Sequence, residues 1–130
     1  MAVDEEPSMQ VFVVSDGTGD TGTATVRAAM LQFQSPWRLR VFGEIRRPPE
    51  AKRVVARAAE ENALVVFSLV ERNMVEVMQR EAQQQGVVAL DLLGPLIARV
   101  AQRLDAEPKH QPGLLHSMSE DYFARIDAVE

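Results

Sequence analysis

Four short apolar runs, separated by stretches of helical period, constrain this chain more than any other feature. The runs are Gln10-Val11-Phe12-Val13-Val14, Arg38-Leu39-Arg40-Val41-Phe42, Ala63-Leu64-Val65-Val66-Phe67-Ser68-Leu69-Val70 and Val87-Val88-Ala89-Leu90. Their β-branched and aromatic content reads as strand. The first and third are continuous, as strands covered on both faces of a parallel sheet are, whereas the second alternates and belongs nearer an edge. Between and after them, apolar residues recur at helical spacing: Val26, Ala29, Met30 and Phe33; Ala51, Val54, Val55, Ala58 and Ala59; Met74, Met78 and Ala82; Leu93, Leu96, Ile97, Val100 and Leu104. Pro48-Pro49 before the second helix and Gly86 after the third mark ends.

The order βαβαβαβα specifies a parallel sheet with right-handed crossovers. The predicted fold class is α/β: a three-layer parallel sheet of about four strands, Rossmann-like or flavodoxin-like, filling residues 1–104. From Asp105 the pattern breaks at Glu107-Pro108-Lys109-His110-Gln111-Pro112-Gly113, so residues 105–130 read as a linker and a terminal helix. That helix carries Tyr122, Phe123, Ile126 and Val129, which need a surface to cover. Either it folds back on the sheet or its partner lies in another chain, as in a homodimer.

Composition narrows the function classes. Of 130 residues, 46% are hydrophobic and 25% charged, the balance of a globular domain. With 14 Lys+Arg against 19 Asp+Glu the net charge is -5, so neither nucleic acid nor an anionic membrane has an electrostatic footprint to bind. The absence of cysteine removes disulfides, thiolate metal sites and a thiol nucleophile, and two separated histidines build no zinc site. No metal site is assigned. The acidic start MAVDEEPSMQ is unlike a targeting peptide, and no apolar run approaches the ~18 residues of a membrane span. The expectation is a soluble, cytoplasmic protein.

The chemistry is concentrated in Ser15-Asp16-Gly17-Thr18-Gly19-Asp20-Thr21-Gly22, directly after the first buried strand and opening the first helix. Ligands of open α/β sheets bind at that edge. The turn can be spelled G-x-G-x-x-G, and Glu44 stands where a ribose-binding acid would. Two carboxylates, Asp16 and Asp20, oppose a pyrophosphate there. Carboxylates and hydroxyls on one turn suit a metal-nucleotide or a hydroxylated ligand better, with Ser15, Asp16, Thr18 and Thr21 as hydrogen-bonding groups and Gly17 and Gly19 admitting it closely. Asp16 is the expected central contact, contributing little to the fold. The plainer alternative is that Asp20 or Thr21 caps the helix and the glycines serve the turn.

Ser68, on the same sheet edge, is a further ligand-binding candidate, set against a hydroxyl satisfied locally. Asp91, ending the fourth strand, is a ligand contact or a helix cap. Arg46-Arg47 reads as a solvated loop able to attract phosphate, and His110 and His116 as loop polar groups; no residue is assigned as catalytic.

Val13-Val14-Ser15-Asp16-Gly17-Thr18-Gly19-Asp20-Thr21, Val66-Phe67-Ser68-Leu69-Val70, Asp91-Leu92-Leu93-Gly94-Pro95-Leu96, Pro112-Gly113-Leu114-Leu115-His116 and the block from Asp121 to Glu130 together resemble one family. It is the N-terminal half of the phosphoenolpyruvate synthase and pyruvate, phosphate dikinase regulatory proteins. The resemblance spans nearly the whole chain. It implies a bifunctional protein that phosphorylates a threonine of the dikinase or synthase with ADP and removes the phosphate by phosphorolysis. It also implies ADP or another nucleotide as ligand, and the dikinase or synthase as partner. Two departures stand out. The family turn continues T-A-E where this chain has Thr21-Gly22-Thr23, and no G-x-x-x-x-G-K-[ST] occurs, so the P-loop belongs to a domain not present here. The chain is therefore read as a regulatory, ligand-binding domain that is not catalytic alone. A free-standing metabolite-sensing module and a Rossmann-like dinucleotide enzyme are the alternatives.

Overall fold

The structure is a computed structural model that describes residues 9–112. Eight elements alternate along it: β1 (Met9–Ser15), α1 (Asp20–Met30), β2 (Trp37–Phe42), α2 (Pro48–Glu61), β3 (Ala63–Ser68), α3 (Arg72–Gln85), β4 (Ala89–Asp91) and α4 (Gly94–Leu104). All strand pairs are parallel and the sheet order is β2-β1-β3-β4. This is a doubly wound α/β sheet whose order follows the flavodoxin-type winding rather than the dinucleotide-binding one.

Burial explains the sequence patterns. β1 and β3 are central, so both faces are covered over most of their length; Val11, Phe12, Val13, Val14, Val65, Val66 and Phe67 are all buried. Alternation splits them between two cores. Phe12, Val14, Val65 and Phe67 pack with Val54, Val55 and Ala58 of α2 and Met74 and Met78 of α3. Val11, Val13 and Val66 pack with Val26 of α1 on the opposite face. Fully burying a side chain such as Phe67 contributes about 1.5–3 kcal/mol. β2, the alternating run, is an edge strand.

Helix ends follow from local chemistry. Pro48 and Pro49 open α2, where missing amides cost nothing, and the Glu50 carboxylate accepts the amides of Arg46 and Arg47, both at 3.1 Å. Gly86 ends α3 in the left-handed region, with φ 70°.

Three expectations need correction. The first helix stops at Met30 and not at Phe33, because the amides of Gln32 and Phe33 bond three residues back, to Ala29 and Met30, tightening the chain out of the helix; Phe33 is 64% exposed. The fourth strand is Ala89–Asp91, starting after Val87 and Val88. And α4, although strongly amphipathic, has no fully buried residue. The terminal helix expected within residues 119–130 lies outside the described residues, as does His116.

Candidate functional site

The turn between β1 and α1 is held from inside and outside. Inside, the Ser15 hydroxyl accepts the Gly17 amide at 2.9 Å and the Thr18 hydroxyl accepts the Asp20 amide at 3.3 Å. Gly19 is the N-cap residue at φ 89°, a conformation that favours glycine, and a Cβ there would lie 2.5 Å from Val41 Cγ1. Gly22 is buried against β1, where a Cβ would meet Val13 Cγ1 at 2.7 Å. Neither Asp20 nor Thr21 caps α1 with its side chain; Thr18 supplies the hydrogen bond instead.

Outside, two loops grip the turn. The Asp16 carboxylate accepts the Val70 amide at 2.9 Å, joining the loop after β1 to the loop after β3. Arg46, thirty positions away in the chain, donates from Nε to the Asp16 carbonyl at 2.9 Å, while its Nη2 lies 3.4 Å from Glu44 Oε1. Arg46 thus sets a cation beside the turn that its two aspartates would otherwise leave negative. Glu44, in the left-handed region at φ 55°, is exposed, and its amide bonds the Gly17 carbonyl at 2.8 Å.

The strand order puts the winding reversal between β1 and β3, the crevice where open sheets bind ligands. Ser15 and Ser68 are register partners across it, each only 6% exposed. Ser68 follows Val66 by two residues and therefore faces the same α1 side. Among the described residues no buried side-chain nitrogen or oxygen is left without a hydrogen-bond partner, so Ser68 presents no buried, orphaned hydroxyl. Above it lies the start of α1. The Thr23 amide is the first taken by the helix, bonding the Gly19 carbonyl at 2.9 Å, so those of Thr21 and Gly22 have no intrahelical acceptor. Leu92, packed in the α1-side core, walls the crevice.

Asp91 is placed apart from this group, at the end of edge strand β4. Its Oδ1 accepts the amides of Leu93 at 3.1 Å and Gly94 at 2.8 Å, holding the start of α4. It also lines a cavity of about 340 Å³ with Leu69, Arg72, Ile97 and His110. His110 bonds the Val70 carbonyl through Nδ1 at 3.0 Å and meets Arg72 Nη2 through Nε2 at 3.2 Å, which fixes the Nδ1-protonated tautomer. Val70 is thereby held through both of its backbone polar groups, its N–H by Asp16 and its carbonyl by His110. Arg46 and His110 both matter more here than their loop positions suggested. For Arg46 the sequence signal was the basic pair before Pro48-Pro49; for His110 there was none.

Residues 11–130 match the family described as Kinase/pyrophosphorylase. The chain belongs to that family. Among curated members, a protein of Sorangium cellulosum (strain So ce56) named as a pyruvate, phosphate dikinase regulatory protein is 41% identical over 121 residues, covering 92% of this chain and 43% of its own length. Proteins similarly named from Syntrophomonas wolfei subsp. wolfei and Geobacillus thermodenitrificans (strain NG80-2) are 36% and 37% identical, again over 92% of this chain and over 44% and 46% of theirs. The chain spans less than half the length of these kinase/pyrophosphorylase relatives. Among its described residues no helix is long and apolar enough to cross a membrane.

Proposed function

We propose that this chain is the N-terminal, ligand-binding part of a regulatory protein for pyruvate, phosphate dikinase or phosphoenolpyruvate synthase, working in the cytoplasm. In this reading the whole protein is an ADP-dependent threonine kinase and phosphate-dependent pyrophosphorylase. The crevice between β1 and β3 takes a phosphate-bearing ligand, ADP or another nucleotide. The observation that carries the reading is the register pair Ser15 and Ser68 at the winding reversal, beside the open amides at the start of α1. Hydroxyls and helix-terminal amides are hydrogen-bond donors to phosphate oxygens, and the helix dipole favours negative charge there. Ser15, Gly17, Thr18, Gly19 and Thr21 shape the entrance, Asp16 takes a ligand hydroxyl or a nucleotide-bound cation, and Asp91 serves the site from the neighbouring cavity on the β4 side.

Calorimetric titration of the chain with ADP tests this. Removing one hydrogen bond to a charged group costs about 1.5–3 kcal/mol, so Ser68→Ala is expected to weaken binding by about tenfold or more with an unchanged melting temperature. Equal affinity of the two proteins at equal stability would remove Ser68 from the site.

A further inference from the structure

The helix α4 carries an apolar stripe for which the described residues offer no cover. Leu96, Val100 and Leu104, one turn apart, are 61%, 45% and 67% exposed. With Ile97, Ala101 and Pro108 they line a groove of about 290 Å³ between the helix and the chain that follows it. An amphipathic helix is stable in water only when that stripe is covered.

We propose that residues 113–130 of this same chain seat in the α4 groove. Three observations favour them over a second copy. They continue directly from Pro112, only a few residues beyond Pro108, which itself lines the groove, so the entropy of closing so short a loop is small. Their Tyr122, Phe123, Ile126 and Val129 recur at helical spacing, giving a stripe that matches the one on α4. Their charge is complementary: Glu120, Asp121, Asp127 and Glu130 face only Arg125 within the segment, whereas α4 carries Arg99 and Arg103 beside its apolar stripe and no acidic residue. A second copy would present α4 to α4, arginine to arginine. The exposed sheet-edge residues Val88 and Leu90 form another apolar patch, on β4 and the stretch before it, without that basic flank.

The chain has no cysteine, so introduced pairs are unambiguous. In the full 130-residue chain, Val100→Cys is combined in turn with Phe123→Cys and with Ile126→Cys, and treated with a short bis-maleimide at low protein concentration. The expected result is an intrachain product from at least one pair and none from the same partners with Leu90→Cys. Products only between chains, products only with Leu90→Cys, or no product would each overturn the proposal. A double-mutant cycle supplies a second readout free of cross-linking: Val100→Ala and Ile126→Ala together are expected to lower the melting temperature by less than the sum of their separate effects. Strict additivity would overturn the proposal as well.

Discussion

The hydrogen bond from the Val70 amide to Asp16 makes this aspartate part of the fold as well as a group available to a ligand. Read from sequence alone, Asp16→Ala belongs with surface substitutions worth less than about 1 kcal/mol. A carboxylate accepting a partly buried amide is worth more, and the alanine variant is expected to lose about 1.5 kcal/mol. Asp16→Asn keeps an acceptor oxygen for Val70 and should stay within about 0.5 kcal/mol of the parent, while losing the charge a ligand cation or hydroxyl would meet. Thermal melts and ADP titration on both variants separate the two roles. Equal melting temperatures for the alanine and asparagine variants would show that the bond adds no stability. The residues of the turn were legible in the sequence because they follow one another at the end of a buried strand. The pairing of Ser15 with Ser68 across the crevice was not, since it depends on the strand order, and neither did the sequence link Arg46 to a carbonyl thirty positions away.

At the level of elements, the junction of β2 and α2 rests on Glu50. The amides of Arg46 and Arg47, donating to its carboxylate, are the chief cause that holds its pKa below the ordinary glutamate value of 4.5. A carboxyl whose folded pKa is depressed adds stability above its unfolded pKa and loses it as pH falls through the folded one. Glu50→Gln is therefore expected to melt below the parent at pH 7, with the gap closing as pH is taken below 4.5. A gap constant across that range in thermal melts would mean that the charge on Glu50 contributes nothing. Since Glu50 also positions the segment bearing Arg46, this variant tests the turn from behind. Helix periodicity told which elements exist and roughly where they end. It could not tell that α4 lacks cover, because an amphipathic stripe says that a face wants a partner and is silent on where the partner lies.

For the whole molecule, alternation of strand and helix made the layered parallel sheet legible, and the continuous runs marked which strands lie at its centre. Which way the sheet winds was open, since β2-β1-β3-β4 and its alternatives share the same alternation; the order decides which loops share the crevice. Phosphoryl transfer needs a preorganised cradle of donors and a lysine around the moving group, and no P-loop sequence occurs in these 130 residues. The purified chain, incubated with ADP and a dikinase, is expected to leave its threonines unmodified; phosphothreonine detected by mass spectrometry would refute that division of labour.

The tight fit at Gly19 and Gly22 also limits how such a site can diversify. With Val41 and Val13 already occupying the space a methyl group would need, a side chain added at either glycine forces a neighbour to shift, and at Gly19 it is also strained by the positive φ. New ligand preferences then arise more readily on the facing loops, around Val70 after β3 and around Glu44 after β2, neither of which is packed in the α1-side core. A saturation library of this chain sorted for folding would accordingly come back nearly blank at the two glycines and varied at those loops, a division between a fixed mould and an adjustable rim.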